Sequence, residues 1–416
     1  MTAELIGHAA DRFRRDFEEF ALIGRLANGG MSRPAFSPYD CEAHERFLAR
    51  AREAGFSASY DPFGNAVVRM ETAGGADMPA LVIGSHLDTV ENGGAFDGAL
   101  GVIAGLEVLR RVSESGGIGR PLEVIAFRDE EGRFGPFTGS RAFTGALPLD
   151  RIGDMRSADG VELAAAMREA GFEPGEAADA IRNMATVHAY LELHIEQGSV
   201  LQRAGVPLGV VTAIVGQERM SVKFLGQADH AGTTPMELRR DAFAAAARFA
   251  DRFRDMILSD ESPSLRGTIG IVRVSPNQGN VVPDDVRLNL EIRDADDEAI
   301  DRSGRATERL ADEAARTFGV SASCRTGYRE RSVAMDGSML EALEASAAEF
   351  GIRSMRLPSG ANHDAGLLAR QVRGAMLFVP SKDGRSHCPQ EHTDWAYAEQ
   401  AVQVMEAAVR RIADQP

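Results

Sequence analysis

The run Gly84-Ser85-His86-Leu87-Asp88-Thr89-Val90 continues through Glu91-Asn92-Gly93-Gly94-Ala95-Phe96-Asp97-Gly98 and sets a histidine and two aspartates in a glycine-rich turn. Imidazole and carboxylate suit borderline divalent cations. Three further polar stretches carry the same donor types: Asp129-Glu130-Glu131-Gly132, His194-Ile195-Glu196-Gln197-Gly198, and Ser386-His387 through Thr393. A lone buried histidine is more often a satisfied core residue than a ligand. Here six of the nine histidines, His86, His194, His230, His363, His387 and His392, fall in polar, glycine-rich segments, which favours chemistry. The chain thus offers His86, Asp97, Glu131, His194 and His387 as ligands. No cysteine run accompanies them, which argues against a closed structural zinc site, and Cys388 beside His387 reads as a neutral small residue. Five ligands exceed what one tetrahedral ion with an open position takes. They suit two divalent ions about 3.5 Å apart sharing a carboxylate, with zinc favoured over manganese, cobalt or nickel. Asp88, two residues after His86, is expected to orient its imidazole.

Elements that could position these groups are visible around each of them. Ala80 to Ile83 is an apolar run ending at the first motif, and Ala99 onward has the small-residue face of a packed helix. Leu122 to Phe127, Ala189 to Glu196 and Ala375 to Val379 are further buried strands, each ending on a candidate group. Open α/β sheets bind ligands at the carboxyl ends of such strands. Helices are predicted over Ala9–Ile23, Cys41–Ala54, Asp159–Ala170, Met236–Met256, Asp297–Phe318 and Asp394–Asp414. From about residue 215 the pattern changes to half-exposed alternating strands in the order β-α-β-β-α-β, that of a ferredoxin-like unit. The expected architecture is an α/β, three-layer αβα catalytic domain with a mixed sheet, residues 1–214 and 328–416. A smaller α+β domain over 215–327 interrupts it.

Composition bounds the rest. The 416 residues exceed one comfortable hydrophobic core. With 62 acidic against 46 basic residues the formal charge is −16, which disfavours nucleic acid or an anionic membrane as partner. No apolar run reaches spanning length, and the first residues lack a signal-peptide plan. Cys41, Cys324 and Cys388 lie far apart and cannot all pair, which fits a cytoplasmic protein.

The motifs, in this order, resemble the binuclear-metal amidohydrolases of the aminoacylase/carboxypeptidase type, and within them the hydantoinase/carbamoylase branch. The residues that carry the resemblance are Gly84-Ser-His86-Leu-Asp88, Gly93-Gly-Ala-Phe-Asp97-Gly, Asp129-Glu-Glu-Gly, His194-Ile-Glu-Gln-Gly, His230-Ala-Gly-Thr-Thr-Pro-Met, Ser359-Gly-Ala-Asn-His363-Asp-Ala and Ser386-His387 to Thr393. The resemblance implies Asp97 as a bridge between two ions and Glu130 as general base and acid, acting on an N-carbamoyl-L-amino acid or a related ureido acid such as allantoate or 3-ureidopropionate. It implies substrate contacts from Gln197, His230, Asn280, Arg293 and the Gly360-Ala361 backbone, with His230 also serving the developing oxyanion. It further implies that the inserted domain is a lid and a homodimer interface. The loop Gly132 to Arg141 is shorter than is common in the branch and bears on the pocket. Other expectations for the same chain are an aminoacylase or dipeptidase on this scaffold, or a binding protein that has lost turnover.

Overall fold

The computed structural model describes residues 3–72 and 78–415. Six strands come first: β1 (Ser57–Tyr60), β2 (Ala66–Met70), β3 (Ala80–His86), β4 (Leu122–Phe127), β5 (Val187–Ile195) and β6 (Leu208–Ile214). Four follow in the insertion, β7 (Gly216–Leu225), β8 (Arg266–Ser275), β9 (Asp285–Asp294) and β10 (Ser321–Glu330). The last three are β11 (Val333–Ala334), β12 (Ser354–Ser359) and β13 (Arg373–Val379). The large sheet runs β1-β2-β4-β3-β5-β13-β6-β11, with β12 also beside β6. Its centre, β4-β3-β5-β13, is parallel, and its flanks are antiparallel. β3, β4 and β13 are apolar and buried along nearly their whole length, as strands covered on both faces must be. The helices Ala99–Glu114, Gly337–Glu349 and Trp395–Ala413 pack along the sheet, and Thr138–Thr144 pairs with Asp364–Leu368 against β5 and β13. This is the mixed α/β layered fold expected.

The chain divides into two compact units, Met1–Thr212 with Met335–Pro416, and Ala213–Ala334. The second unit extends past residue 327 because β10 stays paired with β7 as far as Glu330 opposite Gln217. Its sheet, in the order β10-β7-β9-β8, is antiparallel throughout. Val222, Phe224, Val286, Leu288 and Ile292 alternate inward onto Phe249, Phe253 and Ala311 of the helices Ala242–Ser259 and Asp297–Thr317.

Some helix bounds differ from the sequence reading. The helix expected from Met236 begins at Ala242, because Asp241 caps it by accepting the N–H groups of Phe243 and Ala244. Met236–Leu238 is instead a separate turn of 3₁₀ helix after Pro235. The helix expected from Asp159 covers only Leu163–Glu169. The helices Thr138–Thr144 and Gly337–Glu349 were not expected. Among the described residues no helix is long and apolar enough to cross a membrane.

Candidate metal centre

Adjacent strand ends deliver the candidate groups to one place. β3 ends on His86, opposite Phe127 at the end of β4. The chain leaves β4 through Arg128 and a left-handed Asp129 (φ 57°) into Glu130 and Glu131. His194, near the end of β5, lies opposite Phe378 of β13, and β13 leads to the loop holding His387. Adjacent strand ends thus bring together residues as far apart in the chain as His86 and His387.

Asp97 is the common point. Its Oδ1 stands 3.4 Å from His86 Nε2 and 3.1 Å from His194 Nε2. Its Oδ2 stands 3.3 Å from His387 Nε2, which in turn lies 3.5 Å from Glu131 Oε2. Two ligand groups result, His86–Asp97–His194 and Asp97–Glu131–His387, each with donor atoms close enough for one ion. Glu130 Oε2 approaches His86 Nε2 at 3.6 Å. Two buried atoms in these groups, His86 Nε2 and Glu131 Oε1, have no hydrogen-bond partner among the described residues. Such orphaned polar atoms are costly unless something else satisfies them, so this set of ligand atoms fits divalent cations.

The electrostatics agree. Burial pushes the Asp97 carboxyl up, but His194, His387 and His86 outweigh it and hold the group well below the ordinary range. Burial pushes Glu130 well above its ordinary value, helped by Glu131 and Asp364. Burial and the Asp97 charge raise Glu131 to about 7. The bond to Asp97 raises His387 to about 9. A cluster in which burial, and after it mutual repulsion, raises Glu130 and Glu131 is one that added positive charge would relieve.

The supports of the site are largely backbone bonds. His86 Nδ1 meets the backbone carbonyl of Asp88 at 3.0 Å, while the Asp88 carboxylate is 3.7 Å away. That carboxylate also accepts the N–H of Glu130 (3.3 Å) and Glu131 (3.1 Å). The chain turns after β3, so the Asp88 carbonyl meets the ring, while its carboxylate lies within ion-pair distance of the same ring and clamps the acidic turn. Buried Arg33 donates to Leu87 O at 2.6 Å and to Phe20 O and Ile23 O. Buried Arg128 pairs with Asp40 and lies over Phe36, Tyr60 and Phe172. Gly98 (φ 63°) sits under the His86 ring, where a Cβ would come within 2.4 Å of the imidazole. None of the three was read from the sequence, since each acts on a partner that neither spacing nor periodicity reveals.

Gln197 (φ 55°) joins the cluster, its amide donating to Asp97 Oδ2 at 2.7 Å. Gly360 and Ala361 form the turn after β12, where Ser359 Oγ donates to Ala361 O at 2.7 Å. His363 was singled out among the histidines without a role. It is buried with its ring centroid 4.4 Å from that of His194, and its Nε2 bonds Ser359 Oγ. His363, His194 and Glu192 form a further potential ligand group. Glu192, however, already accepts from Ser85, Tyr190 and the Ala365 N–H. His230, Asn280 and Arg293 belong to the second unit. There His230 bridges to Val281, Ala231 N–H donates to Asn280 O at 2.9 Å, and Arg293 on β9 bonds Glu291.

The sequence matches Peptidase family M20/M25/M40 over residues 82–411. It is 38% identical over 385 residues to the N-carbamoyl-L-amino acid amidohydrolase of Geobacillus stearothermophilus, covering 92% of this chain and 93% of that protein. It is 34% identical over 401 residues to the allantoate amidohydrolase of Bacillus subtilis, covering 95% and 94%. A crystal structure of a hydantoinase/carbamoylase family amidase from Burkholderia multivorans superposes with a TM-score of 0.91 at 33% identity, covering 98% of both chains. A chain with this match along most of its length, and with its candidate ligands on adjacent strand ends, belongs to the M20/M25/M40 peptidase family, in the hydantoinase/carbamoylase branch its motifs resemble.

Proposed function

We propose that the protein hydrolyses the ureido C–N bond of an N-carbamoyl-L-amino acid or a closely related ureido acid such as allantoate, releasing ammonia and carbon dioxide. At the coarser level it is a hydrolase of C–N bonds outside peptides, like the relatives named above. The observation that carries the reading is the Asp97 carboxylate with one oxygen toward His86 and His194 and the other toward His387.

In this reading His86, Asp97 and His194 hold one divalent ion, and Asp97, Glu131 and His387 the other. Zinc suits the nitrogen-and-oxygen donors, and manganese, cobalt or nickel remain candidates. When bound, the ions supply an acidified water and a polarised ureido carbonyl. Glu130, buried and pushed up in pKa, takes the proton of the attacking water and returns it to the leaving nitrogen. Asp88 fixes the turn that aims Glu130. Gln197 and the Gly360-Ala361 backbone offer polar contacts to the ureido group. The guanidinium of Arg293 matches a substrate carboxylate, His230 donates to the developing oxyanion, and Asn280 adds a further contact. We further assign the second unit as a lid and dimer contact, for which the edge strand β8 offers an unpaired backbone row. Three free cysteines suit the cytoplasm.

The test is ammonia release from a panel of N-carbamoyl-L-amino acids, N-carbamoyl-β-alanine and allantoate, before and after chelation and metal return. Release from at least one ureido acid, lost on chelation and restored by metal, is expected. Brisk cleavage of acyl amino acids or dipeptides with no ureido turnover would replace this reading by the aminoacylase one.

A further inference from the structure

Glu391 takes no part in the chemistry just assigned, yet it joins two loops that carry ligand candidates nearly three hundred residues apart. Its side chain is buried beneath the Asp97 turn. Oε1 accepts the N–H of Phe96 at 2.8 Å and of Asp97 at 2.9 Å. Oε2 accepts the Ser386 hydroxyl at 2.8 Å and lies 3.3 Å from the His387 N–H. The Asp97 loop is shaped to admit it: a Cβ on Gly94 would fall 2.1 Å from the Glu391 carboxyl. The two ligand groups depend on this joint unequally. His86 and His194 sit at the ends of paired sheet strands. His387 sits on a loop, with its side chain 48% exposed and its backbone left-handed (φ 55°), a conformation that surrounding contacts must hold.

We propose that Glu391 is a positioning residue that sets the affinity of the Asp97–Glu131–His387 ion by fixing the His387 loop to the Asp97 turn, while the His86–Asp97–His194 ion depends on it little. The proposal rests on the two-ion reading above. Partners that hold ligands from behind typically change metal affinity by about 10–100-fold when lost.

The experiment titrates zinc and manganese into metal-free wild-type, Glu391→Gln and Glu391→Ala proteins by calorimetry. Metal content after dialysis and thermal unfolding of the metal-free forms are measured alongside. Wild type is expected to take up two ions. Glu391→Ala should keep one tight ion and weaken the other by about 10–100-fold. Glu391→Gln should fall between, because its amide oxygen can still accept from Phe96 and Asp97. Two ions bound as in wild type, or equal weakening of both, would overturn the proposal, the latter being what a merely structural residue gives. Fewer than two ions in wild type would instead overturn the two-ion reading. Should Glu391→Ala not fold, Glu391→Gln removes part of the same contact and must show the same unequal loss.

Discussion

The Asp88 carboxylate accepts the backbone N–H of Glu131 at 3.1 Å, tying the turn after β3 to the turn after β4. Asp88→Asn leaves one acceptor where two N–H groups arrive and turns an amide N–H₂ toward the other. A loss of about 1–3 kcal/mol in urea unfolding is expected, with a fall in turnover. Unchanged turnover would mean that the acidic turn holds its shape without this clamp.

Glu130→Gln removes the proton carrier and leaves the ligand set intact. Ammonia release should fall by about 10²–10⁴-fold with metal content unchanged. A variant that keeps both its metal and its wild-type rate would assign the proton transfer to another group.

His387 and Glu131 make metal uptake dependent on pH. In the metal-free protein His387 is raised to about 9 by its bond to Asp97, so it carries a proton at neutral pH that a cation must displace. Because its folded value lies above the ordinary one, the stability it adds to the metal-free protein is complete below about pH 6.5 and disappears as pH rises through about 9. Calorimetric titrations from pH 6 to 9 should therefore show metal affinity rising while the Tm of the metal-free protein falls. Affinity independent of pH would rule out His387 as a ligand.

Gly98→Ala places a methyl group 2.4 Å from the His86 ring on a left-handed residue. Either the ring or the turn must move, at a cost of about 1–3 kcal/mol. Metal content and turnover should drop together, and retention of both would show that the turn tolerates the shift.

Arg293→Ala should raise KM about 10–100-fold with a smaller effect on kcat, the size expected for losing charged hydrogen bonds to a substrate carboxylate. Initial-rate measurements on one N-carbamoyl amino acid separate the two parameters. A KM left unchanged would move the carboxylate anchor elsewhere.

The candidate ligands could be picked out because they end or follow buried apolar strands, and burial of both faces leaves a continuous hydrophobic run that stops where the polar segment begins. β3 stopping at His86 and β4 stopping before Asp129 are examples. The β-α-β-β-α-β order was legible from the strict alternation of β9. The contacts of Asp88 to the Glu130 and Glu131 N–H groups carried no signal, since they arise only once the turn after β3 meets the turn after β4. Glu391 carried no signal, since an acid in a polar loop looks solvated until the fold sets it under Phe96. Asp241 as a helix cap was in plain view, but the alanine-rich pattern extended the reading back past it to Met236.

β13 lies between β5 and β6, although it is the last of the sheet's strands in chain order. As the chain leaves the ribosome, His86, Asp97, Glu131 and His194 are all made long before the strand that closes the gap beside β5. Until then β5 and β6 each expose an apolar edge, the kind of surface on which nascent chains aggregate or recruit chaperones. Synthesis halted before Arg373 would yield a chain with four of the five candidate donors and an open sheet. The His387 segment thus follows the strand that joins β5 to β6, so the fifth candidate donor can meet the other four only once the sheet is continuous.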